Sequence, residues 1–212
     1  GSNSSTDPIY NPQRITAAIT IDGFPDEPVW QQMDPLPLTM YQPVYRGEMS
    51  ESSEIKVAYD NEYFYISGKL YDSEPDKIIA NSMYRDRYSG DDTFAIILDT
   101  FNDNENARWF FVTPTGVRVD QLISKDSEGN GSINRNWVTY WDATQITDEG
   151  WFVEIRIPFS SLGFQVIDDE VIMGLITYRW MARQSERHIF PDIAPNWSRG
   201  FTKPSQAQKI RL

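Results

Sequence analysis

The feature of this sequence that most constrains its fold is an alternation of polar and apolar residues with a period of two, repeated in many short segments. In residues 54–59, Ile55 and Val57 alternate with charged neighbours. Successive side chains of a β-strand point to opposite faces, so this alternation predicts a strand with one buried face. A turn signal at Asp60-Asn61 and a second alternating segment at residues 63–71 complete a predicted β-hairpin.

The same pattern recurs along the rest of the chain, between turns rich in Asn, Asp, Gly and Pro. Further strands are predicted at residues 93–100, 108–113, 117–124, 137–146, 151–158, 171–183 and 208–212. Two short helical segments are predicted, at residues 27–33 with Asp26 as the cap and at residues 160–162. Many strands without long amphipathic helices between them predict an all-β fold, an antiparallel β-sandwich with few short helical turns.

The length of 212 residues fits one domain with a sizeable core. Gly1-Ser2 is typical of a cloning remnant, so the chain is expected to be a piece of a longer protein. Residues 1–12 are expected to form a disordered tail, followed by a sandwich domain at residues 13–212. Residues 126–132 are polar and rich in glycine, which predicts a long mobile loop within residues 125–136.

Charge and composition exclude several classes of function. Lys and Arg total 19 against 31 Asp and Glu, and the formal net charge of −12 argues against binding to nucleic acid or to anionic lipid. The absence of cysteine removes disulfides, zinc ribbons and thiol nucleophiles, and it fits an exported protein. His188 is the only histidine and no common catalytic motif is present, so we expect no enzymatic activity.

Three segments, at residues 21–30, 57–66 and 150–162, resemble the hallmarks of the family-nine carbohydrate-binding modules. They contain Ile21-Asp22-Gly23, Ala58-Tyr59-Asp60-Asn61 and Gly150-Trp151-Phe152 in the same order as in that family. The resemblance spans most of the chain. It implies a β-sandwich that binds a mono- or oligosaccharide and is not catalytic.

Further motifs resemble one subgroup of that family, found at the N-terminus of uncharacterised bacterial outer-membrane β-barrel proteins. They are Asp91-Asp92-Thr93-Phe94, Leu98-Asp99-Thr100-Phe101-Asn102-Asp103, Thr113-Pro114-Thr115-Gly116-Val117 with Asp120, and Arg179 with Arg183 and Glu186. The resemblance implies an exported protein, located in the periplasm or at the outer membrane and cell surface. It also implies that a C-terminal outer-membrane β-barrel of the parent chain is a partner of this domain.

In family-nine modules two aromatic side chains hold a terminal sugar between them, and the nearest matches in this chain are Tyr88 and Trp197. Flat apolar rings suit the C–H face of a pyranose, although either ring could instead close an end of the core. The family's acidic and basic sugar contacts fall on Ala95 and near Phe110 or Phe111.

Because these positions lack polar side chains, the resemblance leaves two alternatives. Either other polar residues near the two rings replace the missing contacts, or the sugar site has been lost. The candidate replacements are Arg85, Arg87, Arg108 and Asn196.

Acidic residues crowd the end of the strand predicted at residues 93–100. Asp99, Asp103 and Glu105 supply the hard oxygen ligands that Ca²⁺ prefers, which makes calcium a candidate ligand in a chain that otherwise predicts no cofactor. The spacing does not match an EF-hand loop, so a turn stabilised by Asp and Asn side chains is the alternative interpretation.

Two further predictions concern tryptophan and arginine residues. Trp30 and Trp151 lie in the family hallmarks and are expected in the core, together with at least one of Trp137 and Trp141. A basic cluster in this acidic chain favours the alternative function, a protein interaction or assembly domain, unless the arginines pair locally with Glu186 and Asp192. The cluster consists of Arg179, Arg183, Arg187 and Arg199.

Overall fold

The alternating segments form two β-sheets that pack face to face in the computed structural model, which describes residues 8–81, 90–136 and 140–212. This confirms the predicted antiparallel-rich, nearly all-β fold. One short helix, α1 (Pro28–Gln31), and several 3₁₀ turns complete it. In chain order the strands are β1 (Gln13–Arg14), β2 (Thr39–Gln42), β3 (Ser53–Tyr59), β4 (Tyr63–Tyr71), β5 (Thr93–Asp99), β6 (Ala107–Val112), β7 (Arg118–Ile123), β8 (Ile133–Arg135), β9 (Trp141–Thr147), β10 (Gly150–Pro158), β11 (Ile172–Met181), β12 (Glu186–Phe190) and β13 (Gln208–Arg211).

The smaller sheet has five strands in the order β1-β3-β4-β10-β9. The larger sheet has eight strands in the order β2-β12-β11-β5-β6-β7-β8, and β13 pairs with β11 beyond the end of β12. All pairings between these strands are antiparallel except that of β1 with β3. Within the described ranges, no helix is both long enough and apolar enough to cross a membrane.

The interior between the sheets is built from alternate residues of the central strands. Phe94, Ile96 and Leu98 of β5 face this core, which also contains Trp151 of β10. Trp30 and Trp151 are 1% and 0% exposed, as predicted. Trp141 is 42% exposed and therefore lies outside the core, whereas Trp137 falls outside the described residues.

Several boundaries differ from the sequence predictions. The first helix begins at Pro28 with Glu27, not Asp26, at its N-cap, and it ends before residue 33 because only one turn forms. Strands β1, β2, β8 and β12 were not predicted. Within residues 8–12, Tyr10 forms backbone hydrogen bonds with Lys209 and Arg211, and Pro12 is buried.

The predicted loop at residues 125–136 contains a 3₁₀ turn at Lys125–Ser127 and strand β8. The loop is anchored to the chain before β13. The hydroxyl of Ser127 donates to the Thr202 carbonyl at 2.9 Å, and Lys203 Nζ lies 3.1 Å from a carboxylate oxygen of Asp126. Ser127, Thr202 and Lys203 are all buried, so part of the predicted loop packs against the chain before β13.

We expect Thr202→Val to lower the free energy of unfolding by about 1–3 kcal/mol, since it removes a buried hydroxyl without changing side-chain volume greatly. That hydroxyl lies 3.0 Å from Ser127 Oγ and 2.9 Å from the Arg199 carbonyl oxygen. Urea unfolding measures the change. Thr20→Val, at an exposed position, is the matched control, and equal stability of the two variants would contradict the anchoring role.

The outer face of the five-stranded sheet is covered by the segment that carries α1. The carboxyl oxygens of Glu154, which is fully buried on β10, accept hydrogen bonds from the backbone N–H of Asp22 and Gly23 and from the indole N–H of Trp30, at 3.1–3.2 Å. Gly23 has φ of +84°, and a Cβ atom there would lie 2.9 Å from the backbone of Thr144. A glycine is therefore needed for the segment to approach Glu154 this closely.

This carboxyl group gives the fold a defined pH dependence. Burial raises the pKa of Glu154 from 4.5 to about 8. Between about pH 4.5 and 8 the carboxyl group keeps its proton in the folded chain but loses it in the unfolded chain. The free energy of unfolding therefore falls as the pH rises through this range.

We expect this group to contribute a slope of up to about 1.4 kcal/mol per pH unit within that window. Glu154→Gln cannot titrate and should lose this part of the slope. Urea unfolding of both proteins at several pH values measures the difference, and parallel pH profiles would contradict the assignment.

Candidate functional site

A cleft of about 470 Å³ lies on the outer face of the eight-stranded sheet. Its wall is dominated by aromatic rings, and Arg187 is the charged side chain among the described residues that line it. The lining residues are Gly90, Thr93, Trp109, Phe111, Gln121, Tyr178, Trp180, Ala182, Arg187 and Phe201.

Strand register explains why there is a hollow at this place. Ala95 of β5 lies between Phe111 of β6 and Tyr178 of β11 in one cross-strand row. In the next row along β5, Thr93 lies beside Trp180. Small residues on the central strand and large rings on its neighbours leave a depression whose sides are aromatic.

The rest of this outer face is covered by the chain that follows β12. Ile193 and Ala207 pack on the sheet together with Ala95 and Ile97. Phe201, from the same segment, makes edge contacts with Tyr178 and Trp109 at centroid distances of 5.5 Å and 6.5 Å. This segment therefore forms one wall of the cleft.

Arg187 of β12 is enclosed by three of the rings. Its guanidinium carbon lies 3.7 Å from the ring centroid of Phe201, 4.5 Å from that of Tyr178 and 4.8 Å from that of Trp180. Its Nε donates to Oε1 of Gln42 at 3.2 Å. Such contacts hold a guanidinium in one orientation, with its flat face against aromatic surface. Burial also raises the pKa of Tyr178, so its hydroxyl remains protonated at neutral pH.

Trp197 lies in the wall-forming segment but does not line the cleft. It is 41% exposed, and Lys203 Nζ lies 5.8 Å from its ring centroid. Asn196 beside it is also exposed. Tyr88, Arg85 and Arg87 fall outside the described residues, so the predicted pair of rings stays a prediction.

Arg108, predicted as a polar contact, lies on β6, and its contact with a ligand stays a prediction. It pairs in register with Leu98, which faces the core between the sheets, whereas its neighbour Trp109 faces the cleft. Alternation along β6 therefore directs Arg108 to the opposite face of the sheet. The same alternation shows that Phe111 lies at the cleft and Phe110 in the core.

Most of the cleft was missed by sequence reasoning. The signal was present as rings at alternate positions, Trp109 with Phe111 and Tyr178 with Trp180. Alternation alone does not show which face of a strand is open, because both faces of β6 and β11 carry apolar residues. The cleft could be found only after the covering segment had been placed.

The acidic residues after β5 form a turn. Oxygens of Asp99 accept hydrogen bonds from the backbone N–H of Asp103 and Asn104, and Asp103 accepts from those of Glu105 and Asn106. Among the residues that the structure describes, no three acidic or histidine side chains are placed to hold a metal ion. The geometry matches the alternative interpretation, a turn in which Asp99 and Asp103 bind backbone amides, while calcium binding by Asp99, Asp103 and Glu105 stays a prediction.

The predicted arginine cluster does not form a common surface. Arg179 is fully buried, and its Nη1 donates to Ser52 O and Ser53 Oγ. Arg183 forms an ion pair with the buried Asp72 at 3.0 Å.

The remaining members of the cluster also differ from expectation. Arg199 donates to the Ser127 carbonyl, while Arg187 lies in the cleft. The expected local partners are engaged elsewhere, Glu186 with His188 and Asp192 with Arg46. The basic surface that favoured an assembly function is therefore absent from these four positions.

Comparison with solved structures shows a shared fold. A family 9 carbohydrate-binding module from Caldicellulosiruptor kristjanssonii, solved in complex with cellotriose, matches with a TM-score of 0.62 and 18% identity, over 96% of this chain and 92% of that chain. The complex of such a module with glucose gives a TM-score of 0.61 at 18% identity, over 96% of this chain and 94% of that chain. A candidate carbohydrate-binding protein from Bacteroides uniformis gives a TM-score of 0.68 at 12% identity, over 95% of this chain and 97% of that chain.

Comparison of sequences gives the family. No curated protein matches the chain. The model of the family described as carbohydrate family 9 binding domain-like matches residues 21–189, which include most of both sheets. The chain therefore belongs to this family of non-catalytic carbohydrate-binding modules.

Proposed function

We propose that this domain binds a terminal sugar unit of a glycan in the aromatic cleft on the eight-stranded sheet. The observation that carries the proposal is the cleft itself, which combines four aromatic side chains from β6 and β11 with Arg187, Gln121 and Thr93. Its volume of about 470 Å³ falls in the usual range of small-molecule sites.

The chemistry of the lining suits a carbohydrate. The indole of Trp109 and the phenyl ring of Phe201 offer flat apolar surface for the C–H face of a pyranose. The amide of Gln121 both donates and accepts hydrogen bonds, as sugar hydroxyls do. The family 9 module that shares this fold was solved with cellotriose and with glucose, which supports the sugar class.

In this proposal Trp197 contributes from beside the cleft. It lies four residues before Phe201 in the segment that forms the wall, and much of its ring is exposed. Tyr88, Arg85 and Arg87, which lie outside the described residues, are further candidate contacts, and Asn196 would contribute beside Trp197. These assignments rest on the family resemblance.

Trp109→Ala and Trp180→Ala should each weaken sugar binding at least about tenfold, because each removes a ring from the cleft wall. Isothermal titration calorimetry with a panel of neutral and acidic mono- and oligosaccharides measures the affinity. Trp197→Ala should weaken binding less, since that ring does not line the cleft.

Trp141→Ala is the control, because Trp141 is 42% exposed, close to the 41% of Trp197, but lies on the five-stranded sheet. It should leave the affinity unchanged. Loss of binding in Trp141→Ala, with retention in Trp109→Ala and Trp180→Ala of unchanged melting temperature, would place the site elsewhere.

We also propose that the parent protein is exported and carries this domain on the periplasmic or outer face of a bacterial outer membrane, attached to a β-barrel. The support is the resemblance of the segments around Asp91, Asp99 and Thr113 to that subgroup. Membrane fractionation of the full-length protein tests the location. Recovery in the cytoplasmic fraction would contradict it.

A further inference from the structure

We infer that this chain forms a symmetric dimer in which strand β9 pairs, antiparallel, with β9 of a second copy. The inference goes beyond the proposed function, because β9 belongs to the five-stranded sheet and the aromatic cleft to the other sheet. It follows from the length of this edge strand, from the direction of its backbone hydrogen bonds and from the charges around it.

β9 differs from the other strands that end the two sheets in the described structure. It has seven residues, whereas β1, β2 and β8 have two, four and three. Arg14 lies in β1, Arg135 lies in β8, and Pro43 directly follows β2. Short length, charge and proline are the usual means by which a sheet edge is kept from pairing with another strand. β9 contains no lysine, arginine or proline, and its register with β10 is continuous, so it lacks this protection.

The backbone hydrogen bonds show which groups of β9 point to the open edge. Glu149 accepts from the Asp72 N–H at one end of the pairing of β10 with β4, and Phe159 donates to the Glu62 carbonyl at the other. Bonded residues alternate along an antiparallel pair, so the odd-numbered residues of β10 bond to β4 and the even-numbered ones bond to β9.

The register of β9 with β10 then fixes the direction of each amide in β9. Ala143 and Gln145 lie opposite Glu154 and Phe152, so their backbone groups bond to β10. The N–H and C=O groups of Thr144 and Ile146 point away from it. Neither residue has a further backbone partner in the described part of the chain. Main-chain groups of this kind bind an extended strand, which supplies donors and acceptors at the same spacing.

β9 of a second copy is such a strand, and its length matches. A two-fold axis at Thr144 pairs all seven residues, so that Ile146 lies opposite Asp142 of the second copy and Trp141 lies opposite Thr147. Residues whose backbone groups point outward then meet residues of the same kind, and the hydrogen bonds close. An aromatic residue opposite a β-branched one stabilises antiparallel strands. Because both copies use the same surface, the assembly stops at a dimer.

Side chains at the edge are compatible with this register. Trp141 and Ile146 are 42% and 49% exposed, so a second strand would cover apolar surface near both ends of β9. Asp142, the one charged residue of β9, forms an ion pair with Arg118 at 3.5 Å. It lies opposite an isoleucine in the dimer, so the register places no two acidic residues of β9 opposite each other although the chain has a net charge of −12.

Charges beyond the strand are complementary. The turn after β9 carries the exposed Asp148 and Glu149. In the dimer this turn follows the residue opposite Trp141, which itself pairs with Arg156 of β10. Two strand spacings, about 10 Å, therefore separate the acidic turn of one copy from Arg156 of the other, and the symmetry repeats the attraction.

Arg156 is suited to this role. Its guanidinium carbon lies 4.6 Å from the ring centroids of both Tyr63 and Trp141, and its Nε has no hydrogen-bond partner among the described residues. The three residues at positions 137–139, which precede Tyr140 and β9, include no acidic side chain. Trp, Tyr and Arg are also the residue types most enriched at the energetically dominant positions of protein interfaces.

The first test is sedimentation equilibrium of the wild-type chain. A single strand pair makes a small interface, so we expect a reversible dimer with a dissociation constant of about 1–100 µM. Arg156→Gln should weaken the dimer about two- to fivefold at low salt and less at high salt, because it removes a screened attraction.

Thr144→Pro should raise the dissociation constant at least about tenfold. The N–H that proline lacks is one that points to the open edge, so the bonds to β10 are kept. Ile146→Lys places a charge on the same edge and should have a similar effect. Val166→Lys is the matched control, because Val166 is 60% exposed and lies outside the strands, and it should leave the dimer unchanged. Melting temperatures are measured in parallel.

Amide hydrogen exchange of the wild-type chain, followed by NMR, needs no variant. Exchange at Thr144 and Ile146 should slow as the protein concentration rises, because these amides become bonded only in the dimer. The amides of Ala143 and Gln145 are bonded to β10 in either state and serve as the internal control.

The outcomes are independent of the proposed function. A chain that stays monomeric up to about 1 mM, or a dimer that persists in both Thr144→Pro and Ile146→Lys, overturns the inference. Exchange at Thr144 and Ile146 that does not change with concentration also overturns it. Sugar binding to the wild-type chain, measured by calorimetry, decides the proposed function whatever the oligomeric state, since the cleft lies on the other sheet.

Discussion

The burial of β5 on both of its faces is the constraint on which the rest of the structure depends. Every residue of this strand is buried, although only Phe94, Ile96 and Leu98 face the other sheet. The opposite face, with Ala95 and Ile97, needs a second cover, which the chain between β12 and β13 supplies over part of the sheet. Where that cover ends, the aromatic cleft begins.

Strands in which apolar and polar residues alternate were predictable from the sequence, while strands that carry polar side chains in the interior were not. β4 was predicted with its observed bounds because apolar residues alternate along it. β12 was missed because Glu186 and His188 occupy its inward positions, where a core strand is expected to carry apolar residues. The hydrogen bond between their side chains makes this burial possible, and sequence spacing alone does not reveal such a pair.

The site was less predictable than the fold for a related reason. Resemblance to the family indicated the two connections near the cleft, one leading to Gly90 and the other containing Trp197. It did not indicate Arg187, because β12 had not been recognised as a strand and its outward face was therefore unknown. Nor did it indicate that Arg108 and Trp109, adjacent on β6, face opposite sides of the sheet.

The contrast among the arginines shows how one residue type takes different roles in an acidic chain. Arg179 is enclosed between the sheets, where burial lowers its pKa to about 10 although Asp92 and Asp72 partly offset this. Arg183 is fixed by the carboxylate of Asp72. Arg187 lies against the aromatic rings of Phe201, Tyr178 and Trp180. The flat faces of the rings attract the cation, so packing as well as hydrogen bonding to Gln42 fixes the orientation of this guanidinium.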